Sequence, residues 1–365
     1  MQYRVTSILE LKEQKKRQIY CFGAGKAFDS FMVEFAQYKL EKHVKAVVDN
    51  NAGCMKIVAK TVNNVCIPVI SMKQMLIDIK ANDCILITTA GYEEVIKQLE
   101  KIEQLDAITY YIYTFMRIAQ YDYDRWNVKI PSKRSLYRKK QIPKTIHYCW
   151  FGRNEIPAQY QKWMESWKRY CPDYEIIEWN ENNYDVNKNQ YTRQAYKRKK
   201  WAFVSDYARI DIVNEYGGIY LDTDVEIVAS FDELLYQKGF AGFESEQFVA
   251  LGLGFGAVKG LPIIKEMMDY YDNQEFVNED GSLNLIASPR LQTGILMEHG
   301  LQANGEYQII DGMTIFPEKM FCGKSVLSRM IMLKPYTRSI HYFDASWQDE
   351  NSKGKIRNRQ IEKML

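Results

Sequence analysis

A helix that runs without a linker into a strand ending in two acids most narrows what this chain can fold into. From Trp201 to Tyr216, apolar residues at Val204, Ala208 and Ile212 recur at the spacing of one helix face. Gly217 follows as the expected stop, since glycine takes a left-handed cap without steric cost. Gly218-Ile219-Tyr220-Leu221 then reads as a short apolar strand, closed by Asp222-Thr223-Asp224. Such a unit belongs to an α/β fold, and open α/β sheets collect ligands at the carboxyl ends of their strands. Extended backbone alternates its side chains, so Asp222 and Asp224 are expected on one side and Thr223 on the other. Two carboxylates so placed can share one hard dication, Mg2+ or Mn2+, whose remaining ligands are water and substrate phosphates. A nucleoside diphosphate suits that geometry. Taken alone, Asp-x-Asp at a strand end also reads as turn chemistry.

The preceding helix adds a second cluster. Ser205 and Arg209 are four apart, Asp206 and Arg209 three apart, so all three share a face. By itself this is a solvated ion pair; feeding directly into the acidic strand, it becomes part of one candidate site. Lys144 to Trp150 reads as another strand, and an aromatic at its end can stack on a nucleobase, although taken alone Trp150 reads first as a core tryptophan. His147 reads as a structural strand residue. Farther on, Gly242-Phe-Glu244-Ser-Glu246 places acids near a strand end. Ala250-Leu-Gly-Leu-Gly-Phe-Gly-Ala257 is either a backbone built for close approach to a ligand or a buried glycine-rich strand.

Together, Ile142-Pro-Lys-Thr-Ile-His147-Tyr-Cys-Trp150-Phe-Gly152, Ser166-Trp167, Cys171-Pro-Asp-Tyr174-Glu-Ile-Ile-Glu-Trp179-Asn, Ala202-Phe-Val-Ser205-Asp206-Tyr-Ala-Arg209 and Gly217-Gly-Ile-Tyr-Leu-Asp222-Thr-Asp224 resemble glycosyltransferase family 32. That family includes capsular polysaccharide transferases and yeast-type initiating α-1,6-mannosyltransferases, and it is distantly similar to the catalytic core of the clostridial glucosylating toxins. The resemblance covers roughly residues 141 to 350. It implies a GT-A-type fold, a UDP- or GDP-sugar donor, a glycan or lipid-linked glycan acceptor, a Mn2+ or Mg2+ ion, and retention of anomeric configuration. It also implies roles: Trp150 stacks on the donor base, Ser205 serves the nucleoside end, Asp206 and Arg209 contact donor sugar and phosphates, and Tyr220 lies beside the diphosphate. Asp222 touches ribose and metal, and Asp224 is a direct metal ligand. His341 and Trp347, in a His-x(5)-Trp closing segment, complete the metal shell and cover the diphosphate.

The first 125 residues lie outside this resemblance and alternate strand and helix signals. Ile19 to Phe22, Val44 to Val48, Cys84 to Thr89 and Tyr110 to Phe115 read as strands, with helices from Lys26 to about Leu40 and from Tyr92 to Lys101. This implies a parallel, Rossmann-like sheet over residues 1–125, joined through a polar connector at 126–141 to a transferase domain at 142–365. Gly23 and Gly25 match the first two glycines of a dinucleotide fingerprint, and Asp49 lies about 20 residues on, as a ribose-binding acid would. Phe28 stands where the third glycine belongs, so a tight strand-to-helix turn is the competing reading.

Composition narrows the class further. A net charge of +3 over 365 residues gives no case for nucleic acid, and the basic runs Tyr137-Arg-Lys-Lys140 and Lys197-Arg-Lys-Lys200 read as solvated faces. Seven cysteines, an odd number without a C-x-x-C pair, point to reduced thiols in the cytoplasm rather than a disulfide framework or structural zinc. The first seventeen residues are charged throughout and offer a Ser7/Glu10 capping box instead of a signal core. No run of about 18 apolar residues occurs, so any contact with the inner membrane face is expected to be peripheral. The expectation is a metal-dependent retaining glycosyltransferase of capsule or surface polysaccharide synthesis, with Asp206, Arg209, Asp222 and Asp224 as its catalytic residues. Two other readings stay open: a non-catalytic nucleotide-sugar scaffold, and an NAD-dependent sugar oxidoreductase or epimerase run by the N-terminal part.

Overall fold

The computed structural model describes residues 2–3, 6–13, 17–52, 59–62, 65–89, 91–125, 130–131, 136–245, 247–326 and 331–344. Among these, the residues through Arg125 form one compact unit and those from 130 to 344 another.

The N-terminal unit is built on a seven-stranded sheet in the order Gln2–Tyr3, Thr109–Ile112, Cys84–Ile87, Ile19–Phe22, Val44–Val48, Val65–Ile70, Ala59–Val62. All neighbours are parallel except the last pair. Ile19–Phe22, Cys84–Ile87 and Thr109–Ile112 are buried at every position. That is why they read as continuous apolar runs: helices cover both faces of a parallel sheet. Ser7 and Glu10 exchange hydrogen bonds, Ser7 N–H to Glu10 Oε2 and Glu10 N–H to Ser7 Oγ, each 3.1 Å, forming the expected capping box. The strand expected from Tyr110 to Phe115 stops at Ile112, and Tyr113–Arg125 is helical. Tyr113, Phe115, Met116, Ile118 and Ala119 are all buried, so packing of this helix overrides the strand preference of an aromatic-rich run.

Gly23 adopts φ +110°, which favours glycine, and Gly25 precedes the helix Lys26–Gln37. Asp49 accepts the Ala24 N–H on Oδ2 at 3.0 Å and the Asn51 N–H on Oδ1 at 2.9 Å. Both carboxylate oxygens are therefore committed to the loop, while Phe28 is fully buried in the core. Gly23, Gly25 and Asp49 make a closed strand-to-helix turn here, and a ribose would have to displace the Ala24 bond.

The C-terminal unit carries a mixed sheet ordered Gln308–Ile310, Met313–Phe316, Gly239–Phe243, Phe255–Ala257, Gly218–Tyr220, Thr145–Cys149, Glu175–Trp179. Phe255–Ala257 runs antiparallel to both its neighbours, whereas Gly218–Tyr220, Thr145–Cys149 and Glu175–Trp179 are mutually parallel. This is the expected α/β architecture, with Asp222 and Asp224 following the carboxyl end of Gly218–Tyr220. Helix Trp201–Tyr216 is buried on more than the predicted stripe: Phe203, Tyr207, Ile210 and Val213 are enclosed along with Val204, Ala208 and Ile212. Being buried over most of its length, with Arg209 and Asp211 among the enclosed residues, it is a central helix. Gly217 ends it at φ +70°.

Candidate active site

The two acids meet by a route the sequence did not indicate. The strand stops at Tyr220, and Asp222-Thr223-Asp224 is a turn closed by Val225 N–H on the Asp222 carbonyl at 3.1 Å. Strand alternation therefore does not bring Asp222 and Asp224 together. The physical reason is the neighbouring chain, whose strand Phe255–Ala257 ends opposite Tyr220. Beyond it residues 251–254 bulge, and the Gly252 carbonyl takes the Asp222 N–H at 3.2 Å. After the turn, Val225–Ile227 pairs with Ser339–His341, Val225 facing His341. Ser166 and Trp167 anchor that short strand: Ser166 Oγ accepts from Ile227 N–H and Trp167 Nε1 donates to the Val225 carbonyl, both at 2.8 Å.

The result is a three-residue cluster. Ligand atoms of Asp222, Asp224 and His341 all lie within 4.8 Å of one another, the one such acid and imidazole group found among the described residues. His341 Nε2 is 3.1 Å from Asp224 Oδ1, and its buried Nδ1 has no hydrogen-bond partner among the described residues. Burial opposes ionisation of Asp224, yet His341 and the Asp344 N–H hold its carboxyl below the usual range. For Asp222 burial prevails over the neighbouring Arg209 and raises it. His341 is raised because Asp224 outweighs its burial. Two oxygens and one imidazole nitrogen are a donor set that fits a dication.

Arg209 links this cluster to the helix. Only 6% exposed, it sits with Nη2 3.0 Å from Asp206 Oδ1 and 3.4 Å from Asp222 Oδ1, and its Nε donates to the Ser205 carbonyl at 3.1 Å. The guanidinium lies 5.2 Å above the Tyr220 ring, which is itself buried. Asp206 is raised by burial despite Arg209. Ser205, Asp206, Arg209, Tyr220 and Asp222 are thus one assembly, and the ion pair is not the solvated one its spacing alone allowed. Ser205 itself turns its hydroxyl back to the Trp201 carbonyl.

Trp150 is partly buried at the end of Thr145–Cys149, edge-on to Tyr160 at 5.9 Å, with Nε1 donating to the Asn154 carbonyl at 2.6 Å. His147 is structural as expected: it bridges the Gly217 carbonyl at 2.9 Å and Trp179 Nε1 at 3.1 Å, and burial lowers its pKa. Trp347 and Glu246 lie outside the described residues.

Two functional residues were hardly legible from sequence. A β-carbon on Gly252 would collide with the Asp222 carboxylate and lie 2.9 Å from Arg209 Nη1, so this glycine lets backbone reach the acid. Residues 250–257 are buried throughout and Phe255–Ala257 is a strand, as the buried-strand reading expects, while at Gly252 the backbone closely approaches the protein's own Asp222 and Arg209. Glu244 directly follows Gly239–Phe243; burial pushes its carboxyl up to about 7, against the pull of His341. On the far face of the same helix, a cleft of about 750 Å3 is lined by Lys188, Asp211, Asn214 and Lys259. Its buried acid, Asp211, is bound by Lys188 and the Tyr184 hydroxyl.

Residues 157–241 match the family described as the glycosyltransferase sugar-binding region containing a DXD motif. Inositol phosphoceramide mannosyltransferase 3 of Schizosaccharomyces pombe is 30% identical over 156 residues, 40% of each chain. Subversion of eukaryotic traffic protein A of Legionella pneumophila is 24% identical over 145 residues, 32% of this chain and 22% of that protein. The chain thus spans less than half the length of either curated relative. Among solved structures, PaToxG glycosyltransferase superposes with a TM-score of 0.36 at 19% identity, covering 46% of this chain and 73% of that one.

Proposed function

We propose a donor chemistry for a chain that belongs, through residues 157–241, to the glycosyltransferases with a DXD-containing sugar-binding region: metal-dependent transfer of a hexose from a nucleoside diphosphate sugar to a glycan acceptor, with retention. The observation that carries this reading is the convergence of Asp222, Asp224 and His341 beside a buried Arg209 at a carboxyl strand end. A dication held by those three residues would supply positive charge for a departing diphosphate. The mixed oxygen and nitrogen set favours Mn2+ over Mg2+, which prefers oxygen alone.

Arg209 is already positioned and desolvated, so it needs no reorganisation to stabilise phosphate charge as the glycosidic bond breaks. Asp206 fixes its orientation. We assign Trp150, at the neighbouring strand end, to the nucleoside. The acceptor hydroxyl attacks the anomeric carbon on the face the diphosphate leaves, and its proton passes to the departing phosphate oxygen. The front-face route asks for no carboxylate nucleophile, and burial raises the Glu244 carboxyl to about 7.

The fission yeast relative is named as an inositol phosphoceramide mannosyltransferase, and we extend to this chain only the class: a hexose onto a glycan or lipid-linked glycan. Capsule or surface polysaccharide synthesis in the cytoplasm, with peripheral contact at the inner membrane face, is the setting proposed. Thermal-shift and donor-hydrolysis measurements across UDP- and GDP-sugars, with and without Mn2+, test the reading. Stabilisation and turnover by one donor only with the metal are expected. Metal-independent binding of every donor, or a trapped covalent sugar, would refute it.

A further inference from the structure

Asp224 has two carboxylate oxygens, and the structure treats them differently. Oδ1 faces His341 Nε2, while Oδ2 accepts the Asp344 N–H at 3.0 Å. Two residues earlier, the Tyr342 N–H donates to the Asp224 main-chain carbonyl at 3.0 Å. Residues 341–344 therefore cross directly over this acid. Phe343 between these two donors adopts φ +52°, a left-handed conformation unfavourable for a bulky side chain. Such a conformation persists only where surrounding contacts enforce it.

Those contacts come from helix Ala158–Tyr170. The Tyr160 hydroxyl donates a hydrogen bond to Asp344 Oδ2. Trp163 stacks on Tyr342 with ring centroids 4.2 Å apart at 13°, and Tyr160 continues the stack at 5.5 Å and 21°. Tyr342 is further tied by its hydroxyl to Glu226 Oε2 at 2.6 Å. The chain of contact runs from Tyr160 through the Asp344 side chain to its backbone N–H, and from there to Asp224 Oδ2.

We infer that Tyr160 and Asp344 are positioning residues that commit Asp224 Oδ2 to the protein and leave Oδ1 to face the cation site beside His341. The inference rests on the metal-dependent reading above, but concerns residues that reading does not use. With Oδ2 occupied, Asp224 offers a single oxygen in a fixed direction. Outer partners of this kind orient ligands, and their loss typically weakens metal binding by about tenfold or more.

The test reads metal binding directly: free Mn2+ is measured by electron paramagnetic resonance during titration of the full chain, alongside melting curves without metal. Tyr160→Phe keeps the ring stack and removes the hydroxyl; Asp344→Ala removes its partner and keeps the N–H. Each is expected to weaken Mn2+ about tenfold with melting unchanged, and the double variant no further, because both break one contact chain. Wild-type Mn2+ affinity in both variants, with or without a lower melting temperature, would overturn the positioning role. Additive losses in the double variant would overturn the shared chain. If wild type binds Mn2+ no better than Asp224→Asn, the metal-dependent reading itself fails, and this inference with it.

Discussion

Replacing Arg209 with methionine keeps most of the side-chain volume and removes one charge from between two partly buried acids. The guanidinium lies 3.0 Å from Asp206 and 3.4 Å from Asp222, with Arg209 and Asp206 side chains 7% and 13% exposed. At an effective dielectric of about 20, each attraction is roughly 5 kcal/mol before desolvation is subtracted. Since desolvation consumes much of that gain, the relevant scale is the measured cost of stripping one partner from a buried pair, about 3–5 kcal/mol. That is a large share of a typical domain stability of about 5–15 kcal/mol and corresponds to roughly 10 °C of melting temperature. The sign with pH follows. Asp206 and Asp222 are already raised by burial, and loss of Arg209 raises both further. An acid whose folded pKa lies above its unfolded value stabilises most below the unfolded value and loses that contribution as pH rises through the folded one. The penalty of Arg209→Met should therefore be largest near about pH 8 and shrink toward about pH 5. Adding Asp206→Asn should recover part of it at neutral pH. Urea denaturation at both pH values reads the effect. A variant as stable as wild type, or equally impaired at both values, would refute the account of Arg209 as the counter-charge of this site.

Asp224→Asn should abolish metal-dependent donor turnover and raise the dissociation constant for Mn2+ by at least about tenfold while changing melting little, checked by calorimetry with Mn2+. Gly252→Ala should fold but lose most donor turnover, because the added methyl enters the Asp222 carboxylate; unchanged kcat would mean that Asp222 moves aside freely. Metal-free protein should draw stability from His341 below about pH 6.5 and lose it as pH rises through the raised value, whereas Mn2+ requires the neutral imidazole and should stabilise more at about pH 8 than at about pH 6. Melting curves with and without Mn2+ at both values decide this. Trp150→Ala should weaken nucleoside diphosphate affinity by about tenfold, the scale of one base stack, with modest loss of stability; unchanged affinity with a lower melting temperature would return Trp150 to the core.

The sequence revealed what depends on residue type and local spacing. The helix from Trp201, its stop at Gly217, the face shared by Ser205, Asp206 and Arg209, and the parallel strands of the N-terminal unit all follow from periodicity and glycine chemistry. What it withheld depends on residues distant in the chain. Strand alternation was the wrong device for joining Asp222 to Asp224, because a strand lasts only while a neighbour pairs with it, and that neighbour bulges at residues 251–254. His341 was named through resemblance, but its approach is set by register, Val225 opposite His341 across more than a hundred residues. The same bulge explains why the glycine-rich run defied a reading from composition. A glycine can serve a turn, a buried strand or close approach, and only the Asp222 carboxylate standing where its β-carbon would be selects the last. Since the backbone carbonyl of Gly252 also holds the Asp222 N–H, one residue fixes both the position of the acid and the space it occupies. Substitution at Gly252 therefore acts directly on the site, because it is the bulge that fixes where the first of the two acids stands.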